Sequence, residues 1–147
     1  MNDSLAQALD RLPHGPEFRF IDRLTALEPG RTGSGEFTVP ADAAYLKGHF
    51  PGQPMLPGVL LVEAAAQLAG TVAQSDAQLP PLPNLKLTAL RNIKILGAPK
   101  PGDVVKLTAR VSGRFANLVQ AEVSAHCEGR VVLQGSVTLS GGTGSES

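Results

Sequence analysis

From residue 58 to residue 73 the chain is apolar at nearly every position, and Glu63, Gln67 and Thr71 return at intervals of four. That spacing stacks the three on one side of a helix, so the stretch reads as an apolar cylinder carrying a single polar ridge. A helix apolar almost all round belongs inside a core. Pro57 suits its first turn, where the missing N–H would have had no helical partner. About fifteen residues at 1.5 Å each make a rod of roughly 22 Å, a length that a curved sheet can wrap.

Elsewhere the pattern changes period. Residues 3–12 read as a short amphipathic helix, capped by Asp3 or Ser4, with Leu5, Leu9 and Leu12 on one face. "FRFIDRLTALE" at 18–28 alternates as a strand, and "PGRTG" turns it into a second, "SGEFTVP". Residues 41–58, broken by proline and glycine, read as irregular. After the polar, proline-rich link "QSDAQLPPLPN" come four alternating stretches: "LKLTALRNIKIL", "VVKLTARVSG", "ANLVQAEVSAHC" and "VVLQGSVTLS". Short turns at "PGD" and "EGR" make their neighbours antiparallel. The expected fold is α+β, an antiparallel sheet packed round one long helix, in a single domain over 1–140 with a loose tail over 141–147.

Composition narrows the function. Formal net charge is zero, with one Tyr, no Trp and no basic run, which argues against nucleic-acid binding. Glu63 and Gln67 interrupt the only apolar stretch approaching membrane length, and residues 1–15 lack the pattern of a signal peptide. A lone cysteine, Cys127, has no internal disulfide partner, so the expected setting is reducing and cytoplasmic. His14, His49 and His126 have no metal-ligand spacing, and no phosphate-binding glycine motif occurs. His126 and Cys127 are neighbours in a strand and point to opposite faces, so they cannot pair as base and nucleophile.

The chemistry concentrates in "GHFPGQPMLPGVLLVEAAAQ". A charged, unpaired carboxylate inside an apolar helix costs several kcal/mol, so Glu63 must stay protonated or find a partner. Either state suits a proton donor, and Gln67, one turn on, can orient it. The helix start at Gly58 offers free N–H groups and the positive end of a dipole, with no side chain to obstruct a ligand carbonyl. His49, in the preceding loop, supplies a base that titrates near neutrality. Base, acid and carbonyl-binding N–H are the parts needed to remove a proton beside a carbonyl and expel a β-substituent.

At these residues the sequence resembles the 3-hydroxyacyl-(acyl-carrier-protein) dehydratases of the FabZ type, in the hotdog-fold superfamily. The resemblance rests on "GHFPG" at 48–52, "PMLPGV" at 54–59 and "EAAAQ" at 63–67, with the fourteen-residue step from His49 to Glu63. "LPH…F…IDR" at 12–23 and "PGD" at 101–103 extend it over nearly the whole chain. The resemblance implies a dimer with a joined sheet, sometimes a trimer of dimers, whose two sites each take histidine from one subunit and glutamate from the other. It implies that His49 removes the α-proton and Glu63 protonates the leaving hydroxyl. It assigns the Gly58 N–H to the thioester carbonyl, the Val59 carbonyl to the imidazole, and Gln67 to orienting Glu63. Phe50, Met55, Leu56 and Pro57 become candidates for the acyl tunnel. The substrate would ride on the 4'-phosphopantetheine of an acyl carrier protein, with no other cofactor or metal.

Glutamate at 63 favours this type over the related dehydratase-isomerase, whose helix carries aspartate there. The chain departs from the family pattern at "PHGPEF" (13–18) and "ILGAPK" (95–100), which suggests a specialised relative in a polyketide, polyene or other acyl pathway. Arg91, Lys94 and Lys100 could meet an acidic carrier or form a solvated strand edge. Two rival readings are a hotdog thioesterase, with Glu63 activating water, and a partner subunit of a heterodimeric dehydratase.

Overall fold

The computed structural model describes residues 5, 8, 19–42, 46 and 55–142. Six strands form one antiparallel sheet: β1 (Arg23–Glu28), β2 (Thr32–Thr38), β3 (Lys86–Ile95), β4 (Val104–Phe115), β5 (Leu118–Cys127) and β6 (Arg130–Ser140). The central helix, Gly58–Gln74, lies across one face of it. Along β4, Val105, Leu107 and Ala109 are buried while the residues between them are exposed, and β5 repeats this with Val119, Ala121 and Val123. Period-two burial of this kind means one face covers the helix and the other meets water.

Sheet order is β1-β2-β4-β5-β6-β3. The helix follows β2 and precedes β3, so it carries the chain from one side of the sheet to the far edge, and β4 returns to pair with β2. Its small side chains permit a close approach. Leu61, Val62 and every residue from Ala64 to Ala73 are buried. At Gly33 of β2 an added Cβ would stand 2.5 Å from Val72 Cγ2, so only glycine lets strand and helix meet there.

The strands after the helix follow the expected pattern, each within a few residues. Over 19–28 the chain differs: among these described residues only Arg23–Glu28 is strand. Phe20 and Ile21 are buried, Phe20 meets Phe37 edge-on at 5.6 Å, and the Phe20 N–H goes to a helix side chain instead of a neighbouring strand. Of the expected N-terminal helix, Leu5 and Ala8 are helical and pack on the core, while Asp3, Ser4, Leu9 and Leu12 lie outside the described residues. Leu46 is helical and fully buried, a point of order within a segment expected to be irregular. Gly141 and Gly142 donate to the carbonyls of Asn117 and Pro83.

Candidate active site

Glu63, Gln67 and Thr71 do form one ridge, linked by their own hydrogen bonds, and Gln67 at its middle meets Phe20. The Phe20 N–H donates to Gln67 Oε1 at 2.9 Å, and Gln67 Nε2 donates to Glu63 Oε2 at 3.1 Å. The Thr71 hydroxyl closes on the Gln67 carbonyl at 2.8 Å. A main-chain N–H can only donate, so it fixes which end of the Gln67 amide faces Glu63. Gln67 and Thr71 are buried, whereas Glu63 is only half-buried, a correction to its expected place deep in the core.

The helix starts without a side-chain cap and without an acidic residue in its first turn. Leu60 and Leu61 N–H both reach the Pro57 carbonyl, at 2.9 and 3.4 Å. Among the described residues nothing accepts from the Gly58 N–H, which therefore remains available to a ligand carbonyl. The space beside Gly58 is not empty, however. Its Cβ position lies 2.9 Å from Ile95 Cδ1 and 3.0 Å from Cγ2, so a side chain at 58 would press on Ile95.

Val59 is 71% exposed. Met55 and Pro57 are half-buried, while Leu56 is 1% exposed and belongs to the core. The Leu56 N–H is bound to the Pro99 carbonyl at 2.7 Å, which ties the helix entry to the segment after β3. His49 and Phe50 lie outside the described residues.

His126 and Cys127 sit next to each other in β5, Cys127 buried and His126 half-buried, as their alternation required. Burial pushes the Cys127 thiol up from its ordinary value, and the Asp103 carboxylate beside it adds to the effect. Among the described residues no three metal-ligating side chains converge, and no helix is long and apolar enough to cross a membrane. Two elements of the site were not read from the sequence, the Phe20 N–H and Ile95. A main-chain group leaves no mark on the pattern of side chains. Ile95 opens the segment 95–100, which departs from the family pattern, but nothing in that segment announced its contact with Gly58.

An antiparallel sheet curled round one central helix defines the hotdog class. The chain superimposes on the dehydratase heterocomplex ApeI:P from Xenorhabdus doucetiae with a TM-score of 0.78, at 19% identity, covering 94% of this chain and 93% of that one. The Escherichia coli PaaI protein gives 0.62 at 20% identity over 95% and 88%. In sequence, residues 12–136 match the FabA-like domain. The FabZ 3-hydroxyacyl-[acyl-carrier-protein] dehydratase of Syntrophotalea carbinolica is 32% identical over 128 residues, covering 84% of each chain. That of Rickettsia bellii is 27% identical over 138 residues, 94% of this chain and 95% of its own. The chain belongs to the FabA-like family and, within it, groups with the FabZ-type dehydratases.

Proposed function

We propose that this chain dehydrates 3-hydroxyacyl thioesters carried on an acyl carrier protein, giving trans-2-enoyl thioesters for acyl-chain synthesis. The Gly58 N–H takes the thioester carbonyl and stabilises charge as it develops on the oxygen. His49, held through one ring nitrogen by the Val59 carbonyl, removes the α-proton. Those C–H electrons form the Cα=Cβ bond while the Cβ–O bond breaks, and Glu63 gives its proton to the departing oxygen, which leaves as water. Proton exchange then restores His49 and Glu63. The observation that carries this reading is the Phe20–Gln67–Glu63 relay, because it holds a half-buried carboxyl group through a buried amide on the helix that begins at Gly58.

His49 and Glu63 of one site are taken from different subunits. In support, among the described residues β3 pairs with β6 alone, and Leu90 (52% exposed) and Leu96 (57%) stand exposed there beside Lys86, Arg91 and Lys94. A strand edge without a second neighbour is a template for another chain. The partner is a second copy or a related hotdog subunit. The likeness to the ApeI:P heterocomplex supports keeping the related subunit as an alternative, and a specialised pathway goes with it. Arg91, Lys94 and Lys100 are exposed and offer cations to an acidic carrier, while Met55 and Pro57 border the acyl path.

The experiment is product analysis by mass spectrometry with carrier-bound 3-hydroxyacyl substrates of several lengths. Loss of one water with the thioester intact supports the dehydratase. Release of free acid and thiol would instead make the chain a thioesterase, with Glu63 activating water.

A further inference from the structure

Ile95 is the side chain packed directly on Gly58, its Cδ1 and Cγ2 lying 2.9 and 3.0 Å from the glycine's Cβ position. It is nevertheless 48% exposed, so it presents a surface as well as a packing contact. It is also firmly held. Ile95 registers with Leu133 in the ladder, the Leu96 N–H donates to the Val132 carbonyl at 2.8 Å, and the Leu56 N–H to the Pro99 carbonyl at 2.7 Å. The segment 95–99 is thus tied to β6 on one side and to the helix entry on the other. A branched side chain on such a support has little freedom to swing away.

A carbonyl oxygen that accepts from the Gly58 N–H sits about 2.9 Å from the nitrogen. The acyl α-carbon is two bonds from that oxygen, which brings it alongside Gly58 and into the neighbourhood of the Ile95 methyls. We infer that Ile95 is a specificity-determining residue that admits acyl chains unbranched at the α-carbon and excludes those with an α-methyl group. The inference rests on the proposed role of the Gly58 N–H in the dehydratase reading. An added methyl group there meets the Ile95 methyls, and relieving that contact costs free energy because Ile95 is held between β6 and the helix entry.

The test compares (3R)-3-hydroxybutyryl and both 2-epimers of (3R)-3-hydroxy-2-methylbutyryl pantetheine thioesters with the wild type, Ile95→Val and Ile95→Ala. Discrimination by a single methyl group is expected to be about 10- to 200-fold in kcat/KM for the wild type. That ratio should fall by about tenfold in Ile95→Ala, with Ile95→Val between. A wild-type ratio within about threefold, or a ratio that Ile95→Ala and Ile95→Val leave unmoved, overturns the inference. Affinities of the matching unreactive amide analogues are measured in parallel. If the wild type turns over neither thioester, the dehydratase reading fails by itself, and the amide affinities still decide the inference. A preference for the unbranched amide that Ile95→Ala erodes supports it, and equal affinities overturn it.

Discussion

Gln67 gives its amide N–H to Glu63 at 3.1 Å while its carbonyl oxygen is held, at 2.9 Å, by the N–H of Phe20, forty-seven residues away. The orientation of the carboxyl group is therefore set by the backbone of the segment leading into β1. Two substitutions test this link. Gln67→Leu removes the acceptor of the buried Phe20 N–H and should cost about 1–3 kcal/mol of stability, read as a lowered Tm. Gln67→Glu can still accept from Phe20 but sets a second carboxyl group against Glu63 in a buried place, which disturbs the acid itself. It should lose activity, and about 10²-fold in kcat is the scale on which misplaced catalytic groups are felt. Equal activity in Gln67→Glu and wild type would mean that the link is structural only.

Gly33 is the point of closest approach between β2 and the helix. Gly33→Ala drives a methyl group to 2.5 Å from Val72 Cγ2, and Val72 is fully buried. The expected loss is about 1–3 kcal/mol, the usual range for overpacking. Pairing it with Val72→Ala should recover part of the loss, which chemical denaturation of the single and double variants would measure.

Cys127 provides a pH-dependent prediction. Its folded pKa is raised above its ordinary value of 9.0, first by burial and then by Asp103. A raised pKa holds the thiol protonated in the folded chain, so this contribution to stability is intact below the unfolded value. It is lost as pH rises above that value, where the unfolded chain ionises first. Native protein at pH 7.5 should react with a disulfide reagent at least about tenfold more slowly than denatured protein. Cys127→Ser should leave dehydratase activity in place, and loss of activity in a folded Cys127→Ser protein would give the thiol a part in the reaction.

The edge of β3, where Leu90 is exposed, predicts an association that one substitution can break. Leu90→Glu places a charge on that edge and should shift the protein towards a monomer in sedimentation, with activity falling in parallel. An unchanged assembly would move the subunit contact elsewhere.

Much of this was legible in the sequence, for identifiable reasons. The Glu63–Gln67–Thr71 ridge was visible because three polar side chains four apart stand out against alanine and leucine. β4 and β5 were visible because one face of each is buried and the other largely wet, which writes a period of two into the residues. Phe20 was misread because apolar alternation over 18–21 suits a strand equally well, and nothing in a side chain announces that its own N–H will bind a glutamine far along the chain. The Ile95–Gly58 contact joins residues thirty-seven apart, where no local pattern reaches. Leu46 adopts a helical conformation between prolines and glycines that favour irregular chain, and its burial is a tertiary effect.

The central claim is that His49 and Glu63 act together from different subunits, and mixing two inactive variants tests it most directly. His49→Ala and Glu63→Ala should each fold and each fail to dehydrate a carrier-bound 3-hydroxyacyl thioester. After subunit exchange, half of the dimers are hybrids and one of the two sites in each hybrid is intact, so about a quarter of wild-type activity should return. No recovery, in a mixture shown by mass spectrometry to contain hybrid dimers, would contradict the shared site.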